Sequence, residues 1–393
     1  MSHRQFWCAI AASGCFIAFP ASAAAEPASG LTYEQSEARA EFIALVRKAR
    51  QGDADSQWLV GKTYVRLGEP AKAVPMLLAA GASGHAEAAT LLAALYEDGR
   101  GVQSDLSAAK EWYRRAASVG HAPAMAALGR VLRQEGHSNA TETESLLRRS
   151  AELGNLEGQY QLAIMLSATQ RGDRAEELDW FVKAARQGHI GAQVSAAALL
   201  LKRNAEGDRL AAIDWLERAA KAKDPVASYL LARVSSEQKT IDFERIREAL
   251  TIAATAGHRE AQFLLGKLLA DSSVLADKTD AANWLEKASQ NGHLDAANRL
   301  GELYLAPVSE LRHLAKARQI FQRAAEQGNA SAMYNLARMQ SEGLGGESDS
   351  RQALIWYSRA AEAGHEGAAD VVETLLASSI KSSALGLKGF WQK

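Results

Sequence analysis

From Gly84 to Gly120 the apolar residues fall into two sets. Ala88, Leu92, Ala93 and Tyr96 line one face of a first helix, and Ala109, Trp112, Tyr113, Ala116 and Ala117 line one face of a second. Each set follows the i, i+3, i+4, i+7 rhythm of an amphipathic helix. Gly99 and Gly101 open a loop between them, and Asp105 stands where the second helix needs an N-cap. Neither helix can bury its stripe alone, so such pairs must stack on their neighbours. The same offsets return from Gly328: Ala332, Leu336, Ala337, Gly343, Gly345, Asp349, Ala353, Trp356, Tyr357, Ala360, Ala361 and Gly364. Strand signals are missing, because no β-branched run alternates with period 2.

The punctuation between these runs is periodic. Junctions of a small residue followed by His, Asn or Asp occur at Gly52, Gly84, Gly120, Gly154, Gly188, Lys223, Gly257, Gly292, Gly328 and Gly364, spaced 32, 36, 34, 34, 35, 34, 35, 36 and 36 residues apart. A fixed period in this range predicts an all-α fold, an α/α solenoid of about nine stacked helix-turn-helix repeats. Eight residues before a junction is an aromatic place. It holds Trp112, Trp180, Trp215, Trp284 and Trp356, with Met76, Leu146, Ala249 and Ile320 in the other units. Tryptophans can stack on sugars, but their regular position on the packing stripe predicts core.

These residues carry a resemblance. The pattern A-x-x-x-L-G/A-x-x-Y, a G-x-G loop, then D-x-x-x-A-x-x-W-Y-x-x-A-A-x-x-G-H resembles the Sel-one-like repeat, a relative of the tetratricopeptide repeat with a longer loop. It spans residue 52 to about 366. It is most specific in the units opening at Gly84 and Gly328, and weakest where Lys223 replaces the junction glycine and Ala249 the aromatic. The resemblance implies a right-handed superhelix whose concave groove binds proteins, and an adaptor rather than a catalyst.

The ends depart from the repeat. Residues 1–25 read as a signal peptide: Arg4, an apolar stretch from Phe6 to about Phe19, then the small-x-small sites Ala21-Ser22-Ala23 and Ala23-Ala24-Ala25. Both cysteines, Cys8 and Cys15, lie in this leader, so a cleaved chain has no thiol for disulfides, nucleophiles or metal ligands. Ala12-Ser13-Gly14-Cys15 also looks like a lipoprotein motif, although Ala12 stands where Leu is usual. Cleavage near Ala25 puts the chain in the periplasm or outside the cell, and lipidation at Cys15 would tether it to the outer membrane. Residues 26–51 are expected to form an N-terminal capping helix, with Phe42, Leu45 and Val46 on its inner side; 52–365 form the solenoid; 366–393 form a C-terminal capping helix and tail. The tail carries Leu385, Leu387, Phe390 and Trp391, which either fold back as the last cap or present a peptide to a partner.

Charge and chemistry narrow the function. With 45 Lys+Arg against 46 Asp+Glu, the chain has no electrostatic reason to bind nucleic acid or an anionic membrane. A membrane association would come through a lipid anchor or a membrane-protein partner. Six of the nine histidines, His85, His121, His189, His258, His293 and His365, sit at junctions, too far apart for a metal pair at helical spacing. Gly343-Leu344-Gly345-Gly346 lacks the Lys-Ser/Thr of a phosphate loop and aligns with Gly99-Arg100-Gly101-Val102. No catalytic, metal or cofactor site is expected. The readings are an extracytoplasmic protein-interaction scaffold, which family resemblance would place in assembly of a cell-envelope or exopolysaccharide secretion complex; a periplasmic regulator that binds and restrains a membrane sensor kinase; or a secreted host-interaction factor.

Overall fold

The computed structural model describes residues 33–136, 140–169, 174–236, 243–272, 274–306 and 311–377. Every regular element among them is a helix, and nine helix-turn-helix pairs follow one another. Within the 26–51 segment expected to form a capping helix, the described residues form a helix at Tyr33–Arg50. The residues Leu385, Leu387, Phe390 and Trp391 and the leader with Cys15 lie outside the described residues.

The chain forms two compact units, with the division at Ala196/Ala197 inside the helix Ile190–Arg203. In the first, Tyr33–Arg50 packs on the pair Ala54–Arg66 and Pro70–Ala82, with Phe42 and Ala49 buried against Val60. The pairs Ala86–Asp98/Leu106–Ser118, Ala122–Glu135/Ala140–Glu152 and Leu156–Thr169/Arg174–Arg186 follow. In the second, Asp208–Lys221 precedes Pro225–Ser236/Phe243–Thr255, Arg259–Ala270/Leu275–Gln290, Leu294–Leu305/Leu314–Glu326 and Ala330–Glu342/Ser350–Glu362, then a helix over 368–377. Within each unit a helix packs on the one before and the one after it, and first helices also meet first helices. That is what a stripe too narrow to bury itself requires.

The residue doing the burying is one place later than the tryptophan. Tyr113, Phe181, Leu216, Leu285, Phe321 and Tyr357 are buried, whereas Trp112, Trp180, Trp284 and Trp356 are half-buried and only Trp215, at 8%, is covered. The expectation of core tryptophans is corrected accordingly. Adjacent residues on a helix point about 100° apart, so one faces inward and the other lies across the seam to the previous pair. Trp112 shows the seam: a Cβ on Gly81 would stand 3.1 Å from its ring.

The second glycine of the G-x-G loop has a steric reason. Gly101 and Gly345 have φ of +77° and +72°, and a Cβ on either would come within 2.4 Å of backbone, at Ala71 and Leu314. The loop lies against the start of the preceding second helix, which leaves no room for a side chain. Asp105 and Asp349 then cap the second helices, each accepting two backbone N–H bonds at 2.9–3.1 Å. Pro225 opens its helix at the first position, where its missing N–H is no loss.

Candidate protein-interaction surface

The junctions are helix caps. Gly84, Gly120, Gly154, Gly188, Gly257, Gly292, Gly328 and Gly364 all have φ between +80° and +96°, and Lys223 takes the same left-handed conformation at +61° without being glycine. The residue after each ends the turn and accepts an N–H from the first turn of the next helix. His85, His189, His258 and His293 do so through Nδ1, at 3.0–3.3 Å from the backbone N of Ala88, Ala192, Ala261 and Ala296. Asp53, Asn155, Asp224 and Asn329 do it through a side-chain oxygen, at 2.8–3.0 Å. Such a cap is worth about 1 kcal/mol.

With Nδ1 accepting, the single proton of the neutral ring sits on Nε2. That atom faces an acid at the second position of the previous first helix: His85 with Asp55 at 3.4 Å, His189 with Glu157 at 3.6 Å and His293 with Glu260 at 3.2 Å. The His189 imidazole holds the Glu157 carboxyl below its ordinary range. Asn329 reproduces the link by donating Nδ2–H to Asp295 at 3.0 Å. The same rings stack on aromatics of the previous repeat, with centroids 4.0 Å apart for Tyr160–His189, 4.3 Å for Tyr229–His258 and 4.2 Å for Phe263–His293. One side chain thus caps its own helix and joins two repeats.

Two junction histidines depart. His121 is followed by Pro123 and takes Thr90 Oγ1 at 3.0 Å in place of a backbone partner. Burial pushes its pKa down. His365 stacks on Tyr334 with centroids 4.3 Å apart, but its buried Nδ1 has no partner. Gly367, with φ +82°, delays the next helix, and the Ala368 N–H that Nδ1 would have met donates to the His365 carbonyl at 3.3 Å instead.

A glutamine completes the junction and was not singled out in the sequence. Gln57, Gln159, Gln193 and Gln262 are buried and donate Nε2–H to the carbonyls of Ala49, Ala151, Ala185 and Ala254, at 3.0–3.4 Å. Each adds a second donor to a carbonyl near the end of the preceding helix that already accepts the junction glycine N–H at 3.0–3.1 Å, filling its other lone pair. The signal was available: a glutamine four residues after the cap in four units.

On the second helices, each tryptophan lies beneath a cation three residues on: Arg115, Lys183, Arg218, Lys287 and Arg359, at 3.9–4.8 Å from the ring centroid. Consecutive second helices are joined by Arg114–Glu142, Arg148–Glu176, Arg245–Glu217 and Arg247–Asp277. Apart from Asp277, which is half-buried, these groups lie at the surface, and such pairs are worth about 0–1 kcal/mol each, so they set register more than stability. Where the tryptophan is absent in the second unit, clefts open. One of about 330 Å³ is lined by Ala220, Lys221, Leu231, Glu248, Ala249 and Ile252. Another of about 250 Å³ is lined by Ser289, Gln290, Ala297, Ile320, Arg323 and Gln327.

Among the described residues no group of three His, Cys, Asp or Glu is placed to hold a metal, and no helix is long and apolar enough to cross a membrane. What the geometry offers is long rows of polar side chains and half-buried rings on stacked helices, the makings of a protein-binding surface. The class so defined is an α/α solenoid repeat protein.

Comparison with known proteins names the repeat. A profile described as Sel1 repeat matches residues 86–121, 156–189, 199–224, 259–293, 294–329 and 330–365, just over half the chain, and the protein belongs to the Sel1 repeat family. It is similar to protein sel-1 homolog 2 of Mus musculus, 28% identical over 92 residues, covering 23% of this chain and 13% of that one. It is also similar to an exopolysaccharide production negative regulator of Rhizobium leguminosarum bv. viciae, 29% identical over 148 residues, covering 34% of this chain and 55% of that one. The matched segments thus span from about an eighth to about half of these relatives' lengths. Among solved structures, it is similar to c5321, a protective antigen of uropathogenic Escherichia coli with an SLR fold, at 22% identity and TM-score 0.49, covering 84% of this chain and 81% of that one. A Sel1 repeat protein from Oxalobacter formigenes gives 24% identity and TM-score 0.40, covering 86% and 91%. Proteins of this repeat family are typically protein-interaction scaffolds.

Proposed function

We propose that this chain is an exported, non-enzymatic scaffold that holds other proteins in the cell envelope, within a complex that makes or secretes exopolysaccharide. The observation that carries the interaction role is the unbroken succession of helix pairs, whose junction histidines, asparagines and glutamines are spent on capping and joining repeats. Polar groups committed in this way are not assembled for catalysis, and the variable faces between them are left for partners. The leader pattern of residues 1–25 supports export. Affinity capture of the tagged chain from envelope extracts, with mass spectrometry of its N-terminus, tests both parts. Recovery of envelope secretion proteins with a chain beginning near Glu26, or at a lipidated Cys15, supports the reading; an uncleaved leader and only cytoplasmic partners would overturn it.

A second reading is regulation: the chain would bind and restrain a membrane sensor protein. The likeness to a relative called an exopolysaccharide production negative regulator favours it. Deletion separates the two readings, since losing a scaffold lowers exopolysaccharide output and losing a restraint raises it.

A further inference from the structure

The cleft beside Ala249 has the form of an absent tryptophan. In the repeat that ends at Gly120, the Trp112 ring lies where Gly81 of the preceding second helix meets Ala89 of its own first helix: a Cβ on Gly81 would stand 3.1 Å from the ring and 3.3 Å from Ala89. The cleft beside Ala249 is bounded by the same three elements, through Ala220, Leu231 and Ala249 itself. Its floor is apolar, its volume of about 330 Å³ is ample for an indole, and its lip carries the exposed Lys221 and Glu248. In the five repeats with tryptophan a cation covers the ring three residues on, but here that place is Ile252. Lys221 is the cation left to cover a ring that enters from outside.

Charge bears on what enters. Arg245 and Arg247 are held by Glu217 and Asp277, while Glu244 and Glu248 on the same exposed helix have no ion pair. The rim of the slot carries Lys221, the Glu217–Arg245 pair and the unpaired Glu248, and Glu244 stands one turn away on the same helix. Residues 378–393 of this chain match that description: they carry Lys381, Lys388 and Lys393, no acid, and the aromatic pair Phe390-Trp391 between the last two lysines. Trp391 is the one tryptophan that follows the repeat array.

We propose that the slot beside Ala249 is a docking site for the chain's own segment 385–393, with the Trp391 indole seated where other repeats place their tryptophan and the flanking lysines facing Glu244 and Glu248. The occupant is this segment, whether from the same molecule or from a second copy.

The test is disulfide trapping in the full chain, with Cys8 and Cys15 replaced by serine so that no native thiol competes. Ile252→Cys at the slot lip is combined with Gln392→Cys beside the indole, and cross-linking under mild oxidation is followed on non-reducing gels. Docking predicts cross-linking at least tenfold faster than for Leu210→Cys, an exposed position, paired with Gln392→Cys. Adding Ala249→Trp, which fills the slot from within, should slow trapping about tenfold, and so should adding Trp391→Ala. A faster-migrating monomer would assign the segment to its own chain, and a dimer band to a second copy; both support docking. Equal rates at 252 and 210, or rates unmoved by Ala249→Trp and Trp391→Ala, would overturn it. Trp391→Ala lies beyond the described helices, so it keeps the test decisive should Ala249→Trp perturb folding.

Discussion

The repeat from Gly328 to Gly364 and the repeat from Lys223 to Gly257 share one architecture built with different care. The first has glycine at its opening junction, a G-x-G loop, an aspartate cap at Asp349, Trp356 beneath Arg359 and buried Tyr357. The second opens on Lys223 in a left-handed conformation and has Ala249 at the aromatic place with Leu250 buried after it. It still makes its Asp224 cap, and its Tyr229 still stacks on His258. The family profile matches the first and passes over 225–258. What persists in both is the junction chemistry and the buried stripe. These are therefore the minimum that the stacking needs, and the tryptophan and G-x-G loop are additions to it.

Substitutions can sharpen that contrast, with hydrogen exchange reporting each repeat separately. The largest effect is expected from Tyr357→Ala, a loss of about 3–5 kcal/mol for a buried aromatic; Trp356→Ala, being half-buried, should cost clearly less. If Trp356→Ala costs more than Tyr357→Ala, the inward residue has been misassigned. Gly345→Ala should cost about 1–3 kcal/mol, because the new Cβ meets backbone and the φ is unfavourable; an unchanged urea midpoint would show that the loop shifts freely. Lys223→Gly should raise stability by about 1 kcal/mol by relieving the left-handed conformation. The same change at a junction that is already glycine is impossible, so this gain belongs to the degenerate repeat alone. His258→Ala should lose about 1 kcal/mol of capping and His258→Asn should recover most of it, which thermal melts of both variants would check.

The smallest expected effect is on pH. His121 has its pKa lowered by burial, so the unfolded chain binds this proton more readily than the folded one. Its contribution is fully present above the unfolded histidine value, and stability falls as pH drops through the lowered folded value. His121→Asn should flatten that part of the stability–pH curve, and an unaltered curve would assign the dependence to other groups.

Much of this was legible beforehand. The period, the helix pairs and the Asp105 and Asp349 caps follow from local rules, since left-handed turns favour glycine and exposed first-turn N–H groups need an acceptor. The spacing of the junction histidines argues against a metal pair but does not reveal that they cap helices. The clue was that His, Asn and Asp alternate at one place: each presents an acceptor atom at the same reach from the backbone. The tryptophans were set one position too deep, because the helical rhythm admits Trp112 and Tyr113 alike and only packing against Gly81 decides between them. Ala249 was visible as a departure, but a missing ring becomes a cleft only if its neighbours do not close over the gap, which sequence cannot say.

The link between an acid at the second position of one first helix and the cap of the next has a consequence for how such a chain can grow. Each unit of about 34 residues carries one cap and one acid: His258 caps its own helix, and Glu260 two residues on meets His293 of the next unit. Duplicating or deleting a whole unit in the gene therefore restores a matched seam on either side, wherever the cut falls within the unit. The link itself tolerates small changes of unit length, since acid and cap stand 30 residues apart in Asp55–His85 and 34 in Asp295–Asn329. The array is thus free to vary in length by whole units.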